Sequence, residues 1–160
     1  MRPSSAELLA RIAETLELEV MPAVGEDRWA ASSLRSATTL LLHLAKRVQQ
    51  ELPILLADNA DAAATLQKIA AEPRPEAANP AVFSAVLDTL AKPTAVVEFD
   101  LESQELRNRE YQAIMDRLLR ECHACAQMQL IHAELRHYFK RRTARERELY
   151  FPVFSTGAPF

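Results

Sequence analysis

The stretch from Ala30 to Val48, AASSLRSATTLLLHLAKRV, decides the fold. Ala30, Leu34, Ala37, Leu41, Leu44 and Val48 recur at spacings of 4, 3, 4, 3 and 4. Such spacing puts every one of them on one side of an α-helix, in a heptad-like stripe. Leu40 and Leu42 flank the stripe and widen it. The widened stripe predicts a helix that sits centrally and touches neighbours on more than one side. Pro53 follows, and a proline cannot donate to the helical ladder, so a kink or a new N-terminus is expected there.

The surrounding chain has the same character. It holds 160 residues and only two glycines, Gly25 and Gly157. Glycine supplies the positive φ of hairpins, bulges and phosphate-cradling loops, so a chain this poor in it has little room for a sheet, a P-loop or a dinucleotide fingerprint. Ser4 with Glu7 has the spacing of a capping box, and Leu8, Leu9, Ile12, Leu16 and Val20 follow at helical intervals. Pro22 is expected to stop this first helix, and Gly25, Glu26 and Asp27 to make the turn. Asn59 reads as the N-cap of an alanine-rich helix through Leu66 and Ile69. Asn79-Pro80 opens another, with Pro at its first position and Val82, Phe83, Val86, Leu87 and Leu90 as its apolar face. Val96, Val97 and Phe99 are a short extended candidate.

From Leu101 to Leu149 there is neither proline nor glycine. Tyr111, Ile114, Met115, Leu118, Cys122 and Cys125 share one face. Met128, Leu135 and Phe139 share another, rotated by about 80–100° at the helical 100° per residue. That drift predicts a bend near residues 123–128. The reading is an all-α fold, a bundle of about five or six helices with a long C-terminal helix. Residues 1–149 form one domain, and 150–160 an apolar tail.

Composition narrows the function classes. A hydrophobic share of 49% and a net charge of −3 suit a globular chain and give no reason to expect nucleic acid or a polybasic membrane contact. No run approaches the roughly 20 apolar residues of a spanning helix, and no apolar leader is visible behind Glu7 and Glu14. A cytoplasmic protein with both cysteines reduced is expected.

Candidate sites are few. Cys122-His123-Ala124-Cys125 is a C-x-x-C without a second pair, set within a helix, and is read as core rather than as zinc or redox chemistry. Glu134 with His137 has the Glu-x-x-His spacing of di-iron bundles, but one copy cannot build that site, and both residues point away from the apolar seam. No metal or cofactor is expected. His132 falls on the seam between Cys125 and Phe139. It is either a hydrogen-bonded core histidine or a ligand-holding group. Arg136, Lys140, Arg141, Arg142, Arg145 and Arg147 put six cations in twelve residues, against Glu146 alone. They complement a helix C-terminus, or bind an anion. Changing Arg141 and Arg145 to Glu is expected to leave folding nearly unchanged. His43 lies opposite its helix's stripe and is expected to be exposed.

Tyr150, Phe151, Phe154 and Phe160 crowd the end of the chain, where exposed apolar groups generally mark contacts. Pro152 is expected to end the helix and send this tail onto its own bundle or across a homodimer. No Ser/His/Asp or Cys/His set assembles by local spacing, so the leading expectation is a non-enzymatic interaction protein. The alternative is a bundle that holds a phosphate-bearing or CoA-like molecule near His132, Arg136 and Lys140.

The opening Arg2-Pro3-Ser4-Ser5-Ala6-Glu7-Leu8-Leu9, with Leu18-Glu19-Val20-Met21-Pro22-Ala23, resembles a small helical bacterial family whose domain carries no assigned function. Genes of that family tend to neighbour acyl-CoA dehydrogenases and aminoglycoside-phosphotransferase-like kinases. The resemblance covers residues 2–23. The family's second helix usually carries an asparagine where this chain has Leu34-Arg35-Ser36-Ala37, and this chain is longer at its C-terminal end. The resemblance implies a helical accessory protein with a metabolic-enzyme partner in acyl-CoA metabolism, and it carries over no catalytic residue.

Overall fold

The computed structural model describes residues 3–92 and 100–155, with side chains other than those of residues 126 and 150–155. Among them every regular element is helical. Their contacts fall into two units, one of Met1–Glu51 with Glu146–Phe160 and one of Leu52–Arg145. Val96, Val97, Phe99 and Phe160 lie outside the described residues.

Unit 1 starts with α1, Ser5–Thr15. The capping box forms as the sequence predicts: Glu7 N donates to Ser4 Oγ at 3.2 Å, and Ser4 N donates to Glu7 Oε2 at 2.7 Å. Pro22 does not stop the chain's helical course. Leu16–Val20 widen into a π-turn, with Met21 N donating to the Leu16 carbonyl, and α2, Met21–Val24, carries Pro22 in its first turn. The wider turn resets the hydrogen-bond pattern just where a donor is missing. Gly25, at φ 63°, then breaks the direction. Asp27 caps α3, accepting from Trp29 N and Ala30 N at 3.0 Å each.

α3 runs from Arg28 to Ala71, 44 residues, with Pro53 inside it. It is the longest helix described, and the expected long C-terminal helix follows over Gln129–Ser155, 27 residues. Pro53 is exposed, so the carbonyl it cannot serve is left to water. Asn59 is correspondingly no N-cap but a buried mid-helix residue. Among the described side chains of unit 1, those that are buried are small: Ala6, Ala13, Thr38 and Ala45. The predicted stripe is not central. Leu44 and Val48 are 48% and 56% exposed, and Leu40 is 61% exposed.

Unit 2 packs the second half of α3 with α4 (Pro80–Ala91), α5 (Leu101–Ala124) and the first part of α6 (Gln129–Ser155). Asn79 caps α4 through a 3.0 Å bond from Ala81 N, and Asp100 caps α5 through a 2.8 Å bond from Ser103 N. The expected bend falls at Cys125, whose backbone is extended. A 3₁₀ turn, Ala126–Met128, leads from there into α6. Leu66, Ile69, Val86, Met115, Leu118, Leu135 and Tyr138 are sealed from water in one cluster. Each large side chain so buried contributes about 1.5–3 kcal/mol.

Pro152 does not end α6, which continues to Ser155. A proline at 152 leaves the Glu148 carbonyl without its helical donor. Lys46 Nζ supplies that hydrogen bond from α3, so within unit 1 the helix passes its proline with the orphaned acceptor satisfied.

Candidate functional site

The richest polar constellation lies inside unit 2, on the α3 segment where apolar and alanine residues dominate the sequence. Asp58, Asn59 and Asn108 are buried, and Tyr138 is fully so. Asp58 Oδ2 accepts from Asn108 Nδ2 at 2.8 Å and from Tyr138 Oη at 3.1 Å, while Oδ1 accepts from Arg145 Nη2 at 2.6 Å. Arg142 Nε stands 3.8 Å from the same carboxylate. Three residues on, Asp61 takes a bidentate grip from Arg141, at 2.6 and 3.1 Å, and a bond from Arg145 Nη2 at 2.8 Å.

The network extends to α5 at four-residue intervals. Asn59 Nδ2 donates to both the carbonyl and the Oε1 of Gln104 at 2.9 Å, and Asn59 Oδ1 accepts from Asn108 at 2.8 Å. Gln112 Nε2 donates to Tyr138 Oη at 2.5 Å. Gln104, Asn108 and Gln112 therefore form one ladder along α5. One donor is unmet: Arg145 Nε is buried without an acceptor.

The electrostatics follow from this wiring. Burial pulls the Asp61 carboxyl upward, but the bonds from Arg141 and Arg145 outweigh it and hold the group below its ordinary value. Tyr138 is pushed far up by burial and then by the Asp58 charge. It stays a neutral hydroxyl that donates and accepts. A neutral Tyr138 phenol and an Asp61 carboxylate held in its charged form by guanidiniums are poor proton carriers near neutrality. What the arrangement does is lock α3, α5 and α6 into one register. That overturns the expectation for Arg141 and Arg145, which are not a loosely solvated charge run but partners of α3. Arg145 retains only 20% of its side-chain exposure.

The other predicted residues are dispersed. His132 is half-buried, its ring 5.9 Å from that of His123 at an interplanar angle of 59°. Arg136 and Lys140 follow it at four-residue steps along α6, both exposed. Glu134 stands 3.9 Å from Lys68, and His137 is exposed. Cys125 is buried and Cys122 half-buried, and burial, followed by the neighbouring Cys125 and Glu121, raises the Cys122 thiol above its ordinary value. His43 is half-buried rather than exposed. Tyr150, Phe151 and Phe154 ride on the last turns of α6, and their side chains lie outside the described residues, as does Phe160. An open depression of about 690 Å³ follows α2, lined by Gly25, Glu26, Asp27, Arg28, Ala31 and Arg35, with neither His132 nor Lys140 in its wall.

Among the described residues no group of three or more His, Cys, Asp or Glu is placed to hold a metal ion. No helix among them is long and apolar enough to cross a membrane. The unpaired feature that remains is apolar. Unit 1 exposes Leu8, Ile12, Leu18, Val20 and Trp29 (86%) besides Leu40, Leu42, Leu44 and Val48. Sequence reasoning marked most of these positions as apolar faces but assigned them to a core. Compared with family models, curated proteins and solved structures, the chain matches none.

Proposed function

We propose that this chain is a non-enzymatic helical interaction protein that works as a homodimer and as an accessory to a metabolic enzyme. The observation that carries the reading is the exposure of unit 1's large apolar side chains beside a unit 2 whose core is sealed. Contiguous exposed apolar surface generally marks a contact site. The buried polar network supports the same reading, because its groups are spent on holding helices together. The class of enzyme, one of acyl-CoA metabolism, is taken from the resemblance of residues 2–23.

The test places a photo-reactive amino acid at Leu44 or, as control, at exposed Leu106 of unit 2, and irradiates intact cells. Adducts are expected from position 44 and not from 106. No adduct from 44 or from a second probe at Leu40, at equal expression, would overturn the reading.

A second reading has its own observation, the tilted ring pair His123–His132, with Arg136 and Lys140 following His132 at four-residue steps along α6. There the chain holds a phosphate-bearing or CoA-like molecule. Titration of coenzyme A against the imidazole NMR signals tests it, and unmoved His132 signals at millimolar ligand would remove it.

A further inference from the structure

Unit 1 divides sharply by charge. Residues 3–27 carry six exposed carboxylates, Glu7, Glu14, Glu17, Glu19, Glu26 and Asp27, against Arg11 alone. Residues 28–51 carry Arg28, Arg35, Lys46 and Arg47 against Glu51 alone, with Arg47 paired to Glu51 and Lys46 bonded to the Glu148 carbonyl, so Arg28 and Arg35 lead the basic side. Each segment also exposes apolar side chains: Leu8, Ile12 and Leu18 on the acidic one, Trp29, Leu40, Leu44 and Val48 on the basic one. On α3, Leu40, Leu44 and Val48 are four residues apart and form a single ridge, the i±4n row that packs into the groove of another helix.

Resting on the interaction-protein reading, we infer that this surface closes on a second copy of the chain. The acidic α1–α2 segment of each copy lies on the basic half of α3 of the other. One two-fold axis makes that contact twice, so both apolar strips are covered and both charge blocks face their opposites. A foreign partner would have to carry both signs in matching order, whereas a second copy does so by construction.

A standard interface takes roughly 800 Å² from each partner around a few large apolar anchors, and Leu8, Ile12 and Leu18 on one strip and Trp29, Leu40, Leu44 and Val48 on the other are exposed side chains of that kind. The charge blocks add orientation and speed of encounter, and a dependence on salt.

The experiment measures mass by light scattering and affinity by sedimentation, on the full chain, with helicity followed by circular dichroism. The wild type is expected to be a dimer at about 50 μM, and Leu44→Glu to weaken it about a hundredfold or more with helicity kept. Two charge-reversed chains then separate the proposed contact from charge pairing within one copy. One is Glu14→Arg with Glu19→Arg, the other Arg28→Glu with Arg35→Glu. Each alone is expected to be monomeric, and an equimolar mixture to form heterodimers, because both of its contacts pair acid with base. A monomeric wild type, or folded variants whose mixture stays monomeric, overturns the inference. If the wild type is monomeric yet position 44 cross-links to a different protein in cells, the inference and the homodimer part of the proposed function fail, while the accessory-protein part stands.

Discussion

In unit 2, Leu66 of α3 is sealed among Met115, Leu118 and Leu135; in unit 1, Leu40, Leu44 and Val48 of the same helix keep 48–61% of their surface in water. The same helix thus carries two kinds of apolar face. In unit 2 large residues fill the contact, and polar groups between the helices are wired to each other. In unit 1 the buried positions among the described residues are Ala6, Ala13, Thr38 and Ala45, and Leu40, Leu44 and Val48 stand outside. An apolar stripe therefore says that a helix face seeks a partner. It does not say whether that partner is in the same chain.

The network at Asp58 gives the sharpest way to break this contrast. Asp58→Ala leaves Asn108, Tyr138 and Arg145 without their shared acceptor. Loss of one member of a buried charge pair costs about 3–5 kcal/mol, so urea denaturation is expected to show a loss of that size. Arg141→Glu with Arg145→Glu is expected to destabilise to the same order, since it sets like charges against Asp58 and Asp61. A loss under about 1 kcal/mol in both variants would mean that unit 2 does not depend on this network.

Truncating one leucine in each unit is the next test. Leu66→Ala empties a sealed site and is expected to cost about 2–5 kcal/mol. Leu44→Ala, measured at a concentration low enough to keep the chain monomeric, is expected to cost less than about 1 kcal/mol. Equal losses would erase the distinction between the two apolar faces.

How much of this was legible in the sequence follows from what each signal measures. Helix content, the capping box at Ser4, the Asn79 cap and the break near Cys125 came from local rules, because Ser4, Glu7, Asn79 and Pro80 act on their own backbone. Pro22 and Pro152 misled. Pro22, Pro53 and Pro152 each remove one donor, but whether the helix stops depends on what happens to the freed acceptor. A π-turn meets the first and Lys46 serves the carbonyl behind the last, and neither is a local property. The Asp58 network was missed for a related reason. Asp58 and Asp61, Gln104, Asn108 and Gln112, and Arg141 and Arg145 repeat at helical spacings on three separate elements. The signal was polar residues repeating at helical spacing, set off by an alanine-rich stretch at Asp58 and Asp61 but hidden among other charged residues on α5 and α6, and it gains meaning only once the helices are side by side. His132 was singled out because it interrupts a seam, and such an interruption carries no information about partners.

Acid offers a finer probe of unit 2. The folded Asp61 carboxyl lies below its ordinary value of 3.8 because Arg141 and Arg145 bond its charged form. Its contribution is therefore complete above about the ordinary value and fades as pH falls through the lower folded value. Denaturation midpoints of the wild type and Asp61→Asn are expected to differ at pH 6 and to converge toward pH 2.5. A constant difference across that range would show that Asp61 acts by shape alone.

The smallest expected effect tests whether the two units open independently. Ser4 closes the α1 capping box, taking the Glu7 amide on its Oγ while Glu7 takes the Ser4 amide in return. The same bonds, backbone first, hold the Glu7 carboxyl below its ordinary value. Ser4→Ala removes one acceptor from a helix start, a change that costs about 1 kcal/mol. Because α1 belongs to unit 1 and buries only Ala6 and Ala13, that cost is expected to appear as local opening. Amides of Glu7 through Ala10 are expected to exchange about fivefold faster, and those of Leu66, Met115 and Leu135 at an unchanged rate. Equal acceleration in both sets would show that α1 opens only with the sealed core, and the contrast between the units would then be one of surface and not of stability.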